Sequence, residues 1–167
     1  MRNDLAQKIF EEIRDRPFRT ALYPEKANNC YFKSSELIQK LTDLGFSMRG
    51  RLGEVDWADT PCPPEILKLL PEDAVETHFF PEIRVDGEWK ILDPTWNKSF
   101  AVKFNLPYSE FNRENESCFK IHRLYDLEEQ AAYVWTFLND KQAADIYIKK
   151  ARPFLSAINE WLDIENP

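Results

Sequence analysis

The sequence contains no long apolar segment. No stretch approaches the ~20 consecutive apolar residues that cross a bilayer. The N-terminal segment MRNDLAQKIFEEIRDR has the charged, amphipathic pattern of a helix and not that of a signal peptide. We therefore expect no membrane partner and a cytoplasmic protein.

Cysteine, histidine and glycine are also scarce. The three cysteines, Cys30, Cys62 and Cys118, are too few and too scattered for a disulfide framework, which favours a reducing compartment. The presence of only two histidines and the lack of a C-x-x-C pair argue against a zinc site. The four glycines form no phosphate-binding loop. We expect neither a metal ion nor an organic cofactor.

Basic residues are not in excess. The chain has 22 lysines and arginines against 29 aspartates and glutamates, a formal net charge of −7, with no long run of either sign. Because phosphate binding needs a basic face, we expect no nucleic acid partner. The 167 residues and the hydrophobic share of 43% favour a single domain, residues 1–167, with a real core. The oligomeric state is left open.

Periodicity and turn residues predict the order of the secondary structure. The predicted elements are a helix at 3–15, a helix from Cys30 to Gly45 capped by Asn28 or Asn29, a strand at 46–55, an irregular segment at 56–76 with a short helix at 64–70, a hairpin at 77–93, a strand at 117–125, and helices from 127 to the C-terminus that are kinked or broken near Pro153. This order favours an α+β fold. Its core spans about 20–125, and a helical extension covers 126–167.

The hairpin THFFPEIRVDGEWKILDPTW, residues 77–96, carries a histidine at one end and an aspartate at the other. Asp86-Gly87 is a strong two-residue turn, which fixes the register of the strands by counting. Asp93 then lies opposite Phe80 and diagonal to His78 on the same face, a separation of about 7–8 Å that the two side chains can span. We expect the imidazole and the carboxylate to meet.

A proline complicates that register. Pro81 falls opposite Leu92 at a hydrogen-bonded position, where it has no N–H to give. A bulge or an edge position for this strand would relieve the conflict. A slip of one residue would instead separate the histidine from the aspartate.

A cysteine at a helix start completes the set. The amino end of a helix and a neighbouring imidazolium both stabilise a thiolate, and an aspartate can orient the imidazole. Cys30, His78 and Asp93 could therefore form a nucleophilic triad. The alternatives are an inert buried thiol and a structural His–Asp hydrogen bond. The backbone N–H of Cys30 would be the first oxyanion donor. Asn28, Asn29 and Tyr23 are candidates for the second.

The pattern C-(helix)…H-F-F-P-E-I-x-V-D-G-E-W-K-I-L-D-P-T-W resembles the transglutaminase-like cysteine hydrolase superfamily over residues 28–97. The resemblance implies a papain-like α+β fold and a Cys-His-Asp triad that acts on amides or thioesters. By position, Cys30 would be the nucleophile, His78 the general acid and base, and Asp93 the residue that orients the ring.

The chain departs from that family at two places. Asn28-Asn29 stands where family members often have glycine before the cysteine, and Phe79-Phe80 stands where a small residue and an aromatic commonly follow the histidine. Phe79 would narrow the cleft, and Trp96 is a core or cleft-wall aromatic.

The leading interpretation is a cysteine-dependent acyl-transfer enzyme that acts on a peptide, a protein or a small amide. Hydrolysis and transfer to an amine both remain open. The rival interpretation is a non-catalytic transglutaminase-like module that binds a protein partner, and a purely structural domain is the third. Among the remaining residues, Cys62 is expected to be an exposed loop thiol, and Cys118 and His122 are expected to lie in a strand.

Overall fold

The computed structural model describes residues 2–20, 27–139 and 141–165. Within them the protein has six α-helices and one four-stranded antiparallel sheet, which confirms the coarse prediction of an α+β protein. The elements are α1 (Arg2–Arg14), α2 (Cys30–Asp43), β1 (Met48–Glu54), a 3-10 turn (Trp57–Asp59), α3 (Pro64–Leu67), β2 (Thr77–Val85), β3 (Glu88–Ile91), α4 (Lys98–Phe104), β4 (Arg123–Leu124), α5 (Leu127–Asn139) and α6 (Lys141–Glu165).

The sheet has the strand order β3-β2-β1-β4, and its hairpin has the predicted register. Val85 faces Glu88 across the turn. Asp86 and Gly87 both have positive φ, at 52° and 88°, as the type I′ turn of a two-residue hairpin requires. The counting argument from the turn is therefore confirmed.

Pro81 is accommodated without a slip. β2 lies inside the sheet, so Pro81 is not on an edge strand. The N–H of Leu92 donates to the carbonyl of Pro81 at 3.0 Å, and β3 ends one residue earlier, at Ile91. The missing N–H of the proline thus falls just beyond the end of the regular β3 strand, where it costs one hydrogen bond and leaves the register intact.

Two hydrophobic clusters pack against the sheet, and burying each large apolar side chain in them stabilises the fold by about 1.5–3 kcal/mol. The first cluster joins α1 and α2 to one face of the hairpin, through Ala6, Phe10, Ile13, Leu37, Leu41, Ile83 and Leu92. The second joins α4 and α6 to the loops, through Phe18, Trp57, Cys62, Trp96, Phe100, Ala101, Cys118, Phe119, Ala151, Phe154, Leu155, Ile158 and Leu162. His78 points away from the face of Ile83, since residues of opposite parity alternate along a strand.

The helices of the C-terminal half match the predictions in part. The capping box that opens α5 is confirmed, because the N–H of Glu129 donates to Oδ1 of Asp126 at 2.8 Å and the N–H of Asp126 donates to Glu129 at 3.1 Å. A break at Pro153 is wrong, since α6 continues through it, held by the buried neighbours Ala151 and Phe154. None of the described helices is both long and apolar enough to cross a membrane.

One predicted strand needs correction, and one helix of the structure was not predicted. The strand predicted at 117–125 is reduced to Arg123–Leu124, so Cys118 and His122 lie in irregular backbone before it. The helix α4 was not predicted, because it has only seven residues and follows the hairpin directly. Its buried residues Phe100 and Ala101 hold it against the second cluster.

Candidate active site

Helix α2 begins at the candidate nucleophile. Asn29 is the N-cap, and its Oδ1 accepts the N–H of Phe32 at 3.1 Å. Cys30 is the first helical residue and is partly exposed. The N–H groups of Cys30 and Tyr31, two of the four first-turn amides without an intrahelical acceptor, have no acceptor among the described residues. These amides are therefore open to an anion beside the thiol.

His78 and Asp93 form a buried hydrogen-bonded pair. Nε2 of His78 lies 2.6 Å from Oδ2 of Asp93, and both residues are 0% exposed. The carboxylate also accepts from the N–H and hydroxyl of Thr95, at 3.1 and 2.6 Å, and from the N–H of Cys118 at 2.9 Å. A buried carboxylate is stable only when its oxygens are satisfied, and these four hydrogen bonds fix its position.

The ring of His78 is enclosed by aromatic residues and lies beside the thiol. It stacks on Phe80 with centroids 5.5 Å apart, and its centroid is 4.8 Å from that of Phe119. Its Nδ1 is buried and has no hydrogen-bond partner among the described residues. Cys30 is close enough to the ring to raise its pKa. Nδ1 is thus the ring nitrogen left for proton exchange with the thiol.

Burial and charge act in opposite directions on this pair. Burial by itself would lower the pKa of His78, but the charge and hydrogen bond of Asp93, followed by Cys30, raise it above 6.5. Burial would raise the pKa of Asp93, but the charge and hydrogen bond of His78 and the bonds from Thr95 and Cys118 lower it below 3.8. Both directions favour an imidazolium paired with a carboxylate at neutral pH.

Two of the three oxyanion candidates, Asn28 and Asn29, lie immediately before α2. Asn28 forms an isolated antiparallel bridge with Arg19, whose N–H donates to the Asn28 carbonyl at 3.4 Å. The side-chain oxygen of Asn29 is used in capping the helix. Tyr23 lies outside the described residues. A second oxyanion donor from these three side chains stays a prediction.

The two aromatic cleft candidates differ in their surroundings. Phe79 is partly exposed, and its ring lies across Gly50, where an added Cβ would collide with the ring. The same ring is 5.5 Å from that of Tyr31, next to Cys30. Trp96 is 1% exposed, and its indole N–H donates to the Cys118 carbonyl at 3.0 Å, so it is a core residue. Only Phe79 borders the surface beside the thiol.

The other two cysteines are buried. The prediction that Cys62 is an exposed loop thiol is wrong: it is 4% exposed within the second hydrophobic cluster. Burial, together with Glu65, raises the pKa of Cys62 to about 11. Burial and the charge of Asp93 also raise the pKa of Cys118. Cysteine is among the most often buried residue types, and that tendency outweighed the proline-rich sequence around Cys62.

Three residues of the site were not predicted from sequence. The hydroxyl of Ser109 accepts the N–H of Asp93 at 2.9 Å, and that of Ser34 donates to the carbonyl of Phe79 at 3.1 Å. Lys33, one turn after the candidate nucleophile, is 1% exposed. The spacing of three residues places Lys33 one turn after Cys30 in the predicted helix, but nothing in the sequence around Lys33 or Ser109 shows that either residue is buried.

No group of three or more His, Cys, Asp or Glu side chains placed to hold a metal ion occurs in the part of the chain that the structure describes. No protein-family model, no curated protein and no solved structure matches this chain.

Proposed function

We propose that the protein is a cysteine-dependent acyl-transfer enzyme with a transglutaminase-like, papain-like core. The observation that carries the proposal is the arrangement around His78. One ring nitrogen is bound to the buried Asp93, while the other has no hydrogen-bond partner among the described residues and the ring interacts with Cys30. Nucleophilic catalysis by cysteine requires an imidazole of this kind, with one nitrogen oriented by a carboxylate and the other available to the thiol.

The proposed reaction has two steps. The Cys30 thiolate attacks the substrate carbonyl carbon, and the oxyanion that forms is stabilised by the free amides at the start of α2. His78 then gives its proton to the leaving amine or thiol as the carbonyl is restored, which leaves an acyl group on the sulfur. In the second step His78 takes a proton from water or an amine, which attacks the thioester. The thiolate departs as the carbonyl is restored and the proton stays on His78, which regenerates the starting thiolate–imidazolium pair. Peptides, proteins and small amides are the proposed substrates.

The test is the pH dependence of Cys30 alkylation, mapped by peptide. We expect iodoacetamide to label Cys30 rapidly at pH 6, where an ordinary thiol of pKa about 8.5 is almost wholly protonated. Because Cys62 and Cys118 are buried, faster labelling of Cys30 alone would not be informative. The informative quantity is the rate at pH 6 relative to that at pH 9 for the same residue.

Matched histidine variants provide the control. His78→Gln should remove most of the labelling rate of Cys30 at pH 6, whereas His122→Gln, at an exposed His–Asp pair, should leave it unchanged. Incubation with p-nitrophenyl acetate should place an acetyl group on Cys30 in the wild type. The acetyl group should be absent after His78→Gln.

Two results would contradict the proposed function. If Cys30 gains rate only between pH 8 and 9, or if His78→Gln has no effect, catalysis is rejected and the binding-module interpretation takes its place.

A further inference from the structure

Lys33 is a buried cation one helical turn after the candidate nucleophile. It is 1% exposed. Its Nζ donates to the carbonyls of Arg14, Arg16 and Thr95 at 2.8, 2.7 and 2.9 Å. The lysine therefore joins three segments: the end of α1, the first turn of α2 and the loop that follows β3.

These acceptors match the charged form of the lysine. An ammonium has three hydrogens to donate, whereas a neutral amine would leave one of the three carbonyls without a donor. Two of the carbonyls, those of Arg14 and Arg16, lie at the carboxyl end of α1, which carries the negative end of the helix dipole.

The charged groups around Lys33 include Asp93. Burial is the largest influence and lowers the pKa of Lys33, while the charges of Cys118, Asp93 and Asp15 raise it and Arg16 lowers it; the net result is a pKa of about 7. Interactions of this kind are reciprocal. If the Asp93 carboxylate favours the ammonium, the ammonium favours the ionised Asp93 to the same degree.

One residue links the lysine to the triad. Thr95 accepts from Lys33 through its carbonyl and donates to Asp93 through its hydroxyl at 2.6 Å. With the thiolate, the imidazolium and the carboxylate all charged, the triad has a net charge of −1. Together with the ammonium of Lys33 these four groups, three of them buried, have no net charge.

We propose that Lys33 is a positioning residue of the candidate triad, which ties the loop of Asp93 to the helix of Cys30 and balances the carboxylate charge. The inference rests on the proposed function. Loss of this cation disfavours both the thiolate and the carboxylate. The acid limb of the pH profile, where the alkylation rate of Cys30 rises with pH, should therefore move to higher pH.

The experiment compares Lys33→Met with Lys40→Met, a partly exposed lysine of the same helix that pairs with Glu36. The rate of Cys30 alkylation by iodoacetamide is measured from pH 4 to 9 on the full chain. We expect Lys33→Met to shift the acid limb upward by about one pH unit, so that labelling at pH 5 is about tenfold slower while the rates at pH 8 agree within about twofold. Lys40→Met should follow the wild type.

A folded Lys33→Met protein with the wild-type pH profile would overturn the inference and leave the proposed function standing. Slow labelling of the wild type at pH 6 would instead overturn both.

Should Lys33→Met fail to fold, the wild type supplies a second measurement. The 15Nζ resonance of Lys33 should shift across the acid limb of Cys30 labelling, while that of Lys40 should not. A Lys33 resonance that stays constant across that limb would reject the inference.

Discussion

Two histidine–aspartate pairs in this protein have the same hydrogen-bond length and different surroundings. Nε2 of His78 lies 2.6 Å from Oδ2 of Asp93. Nε2 of His122 lies at the same distance, 2.6 Å, from Oδ2 of Asp59. The first pair is fully enclosed, whereas the side chains of the second are 44% and 31% exposed. Distance alone therefore does not mark the site.

The difference lies in what else the carboxylate and the ring touch. Asp93 accepts three further hydrogen bonds from Thr95 and Cys118. Around Asp59 the additional partner is the ammonium of Lys120, 3.5 Å away on a side chain that is 67% exposed. A buried pair whose partners are all satisfied holds an imidazole in one orientation, while an exposed pair is screened by water and contributes little. Only the first can orient a general base.

The largest expected effect comes from neutralising each aspartate in turn. Asp93→Asn turns an amide NH₂ toward groups that are themselves donors and leaves an imidazolium buried without its counterion. We expect a loss of about 3–5 kcal/mol in the free energy of unfolding, measured by urea denaturation at pH 7. Asp59→Asn should give no measurable change. Equal losses in the two variants would mean that burial does not distinguish the pairs.

The second prediction concerns pH. The raised pKa of His78 gives stability that is complete below about pH 6.5 and is lost as the pH rises toward the folded-state value. The lowered pKa of Asp93 gives stability that is complete above about pH 4 and is lost as the pH falls. The stability difference between wild type and His78→Gln should thus be largest between these limits.

The measurement is urea unfolding of both proteins from pH 3 to 9. Above pH 6.5 the difference should decline by up to about 1.4 kcal/mol per pH unit. The difference between wild type and His122→Gln should stay flat. A His78→Gln difference that is constant with pH would show that His78 has the same pKa in the folded and unfolded protein.

The pairing of His78 with Asp93 could be predicted from sequence because it follows from two short-range rules. The Asp86-Gly87 turn fixes the register, and the alternation of side chains places the two residues on one face. The same holds for the start of α2, where Asn29 is a strong N-cap residue immediately before Cys30.

The surroundings of the pair could not be predicted in that way. Cys118 and Ser109 bind Asp93 from irregular backbone, where no periodicity indicates which way a side chain points. The burial of Cys62 depends on packing against the distant helix α6. The burial of Lys33 could not be predicted either, because a lysine is expected at the surface unless acceptors converge on it, and here they come from the end of α1 and from the loop after β3.

The last and smallest prediction tests one hydrogen bond that the exposed pair lacks. The hydroxyl of Thr95 donates to Oδ1 of Asp93 at 2.6 Å in a site that is 0% exposed. Thr95→Val keeps the shape and removes this donor, and a hydrogen bond to a charged group contributes about 1.5–3 kcal/mol. Thr95→Ser keeps the donor and loses a methyl group, at a cost of about 0.8 kcal/mol. Because the hydroxyl also lowers the pKa of Asp93, Thr95→Val alone should move the midpoint of acid unfolding, followed by circular dichroism, to higher pH. If Val and Ser shift that midpoint equally, the hydroxyl contributes only packing, and the difference between the two pairs rests on burial.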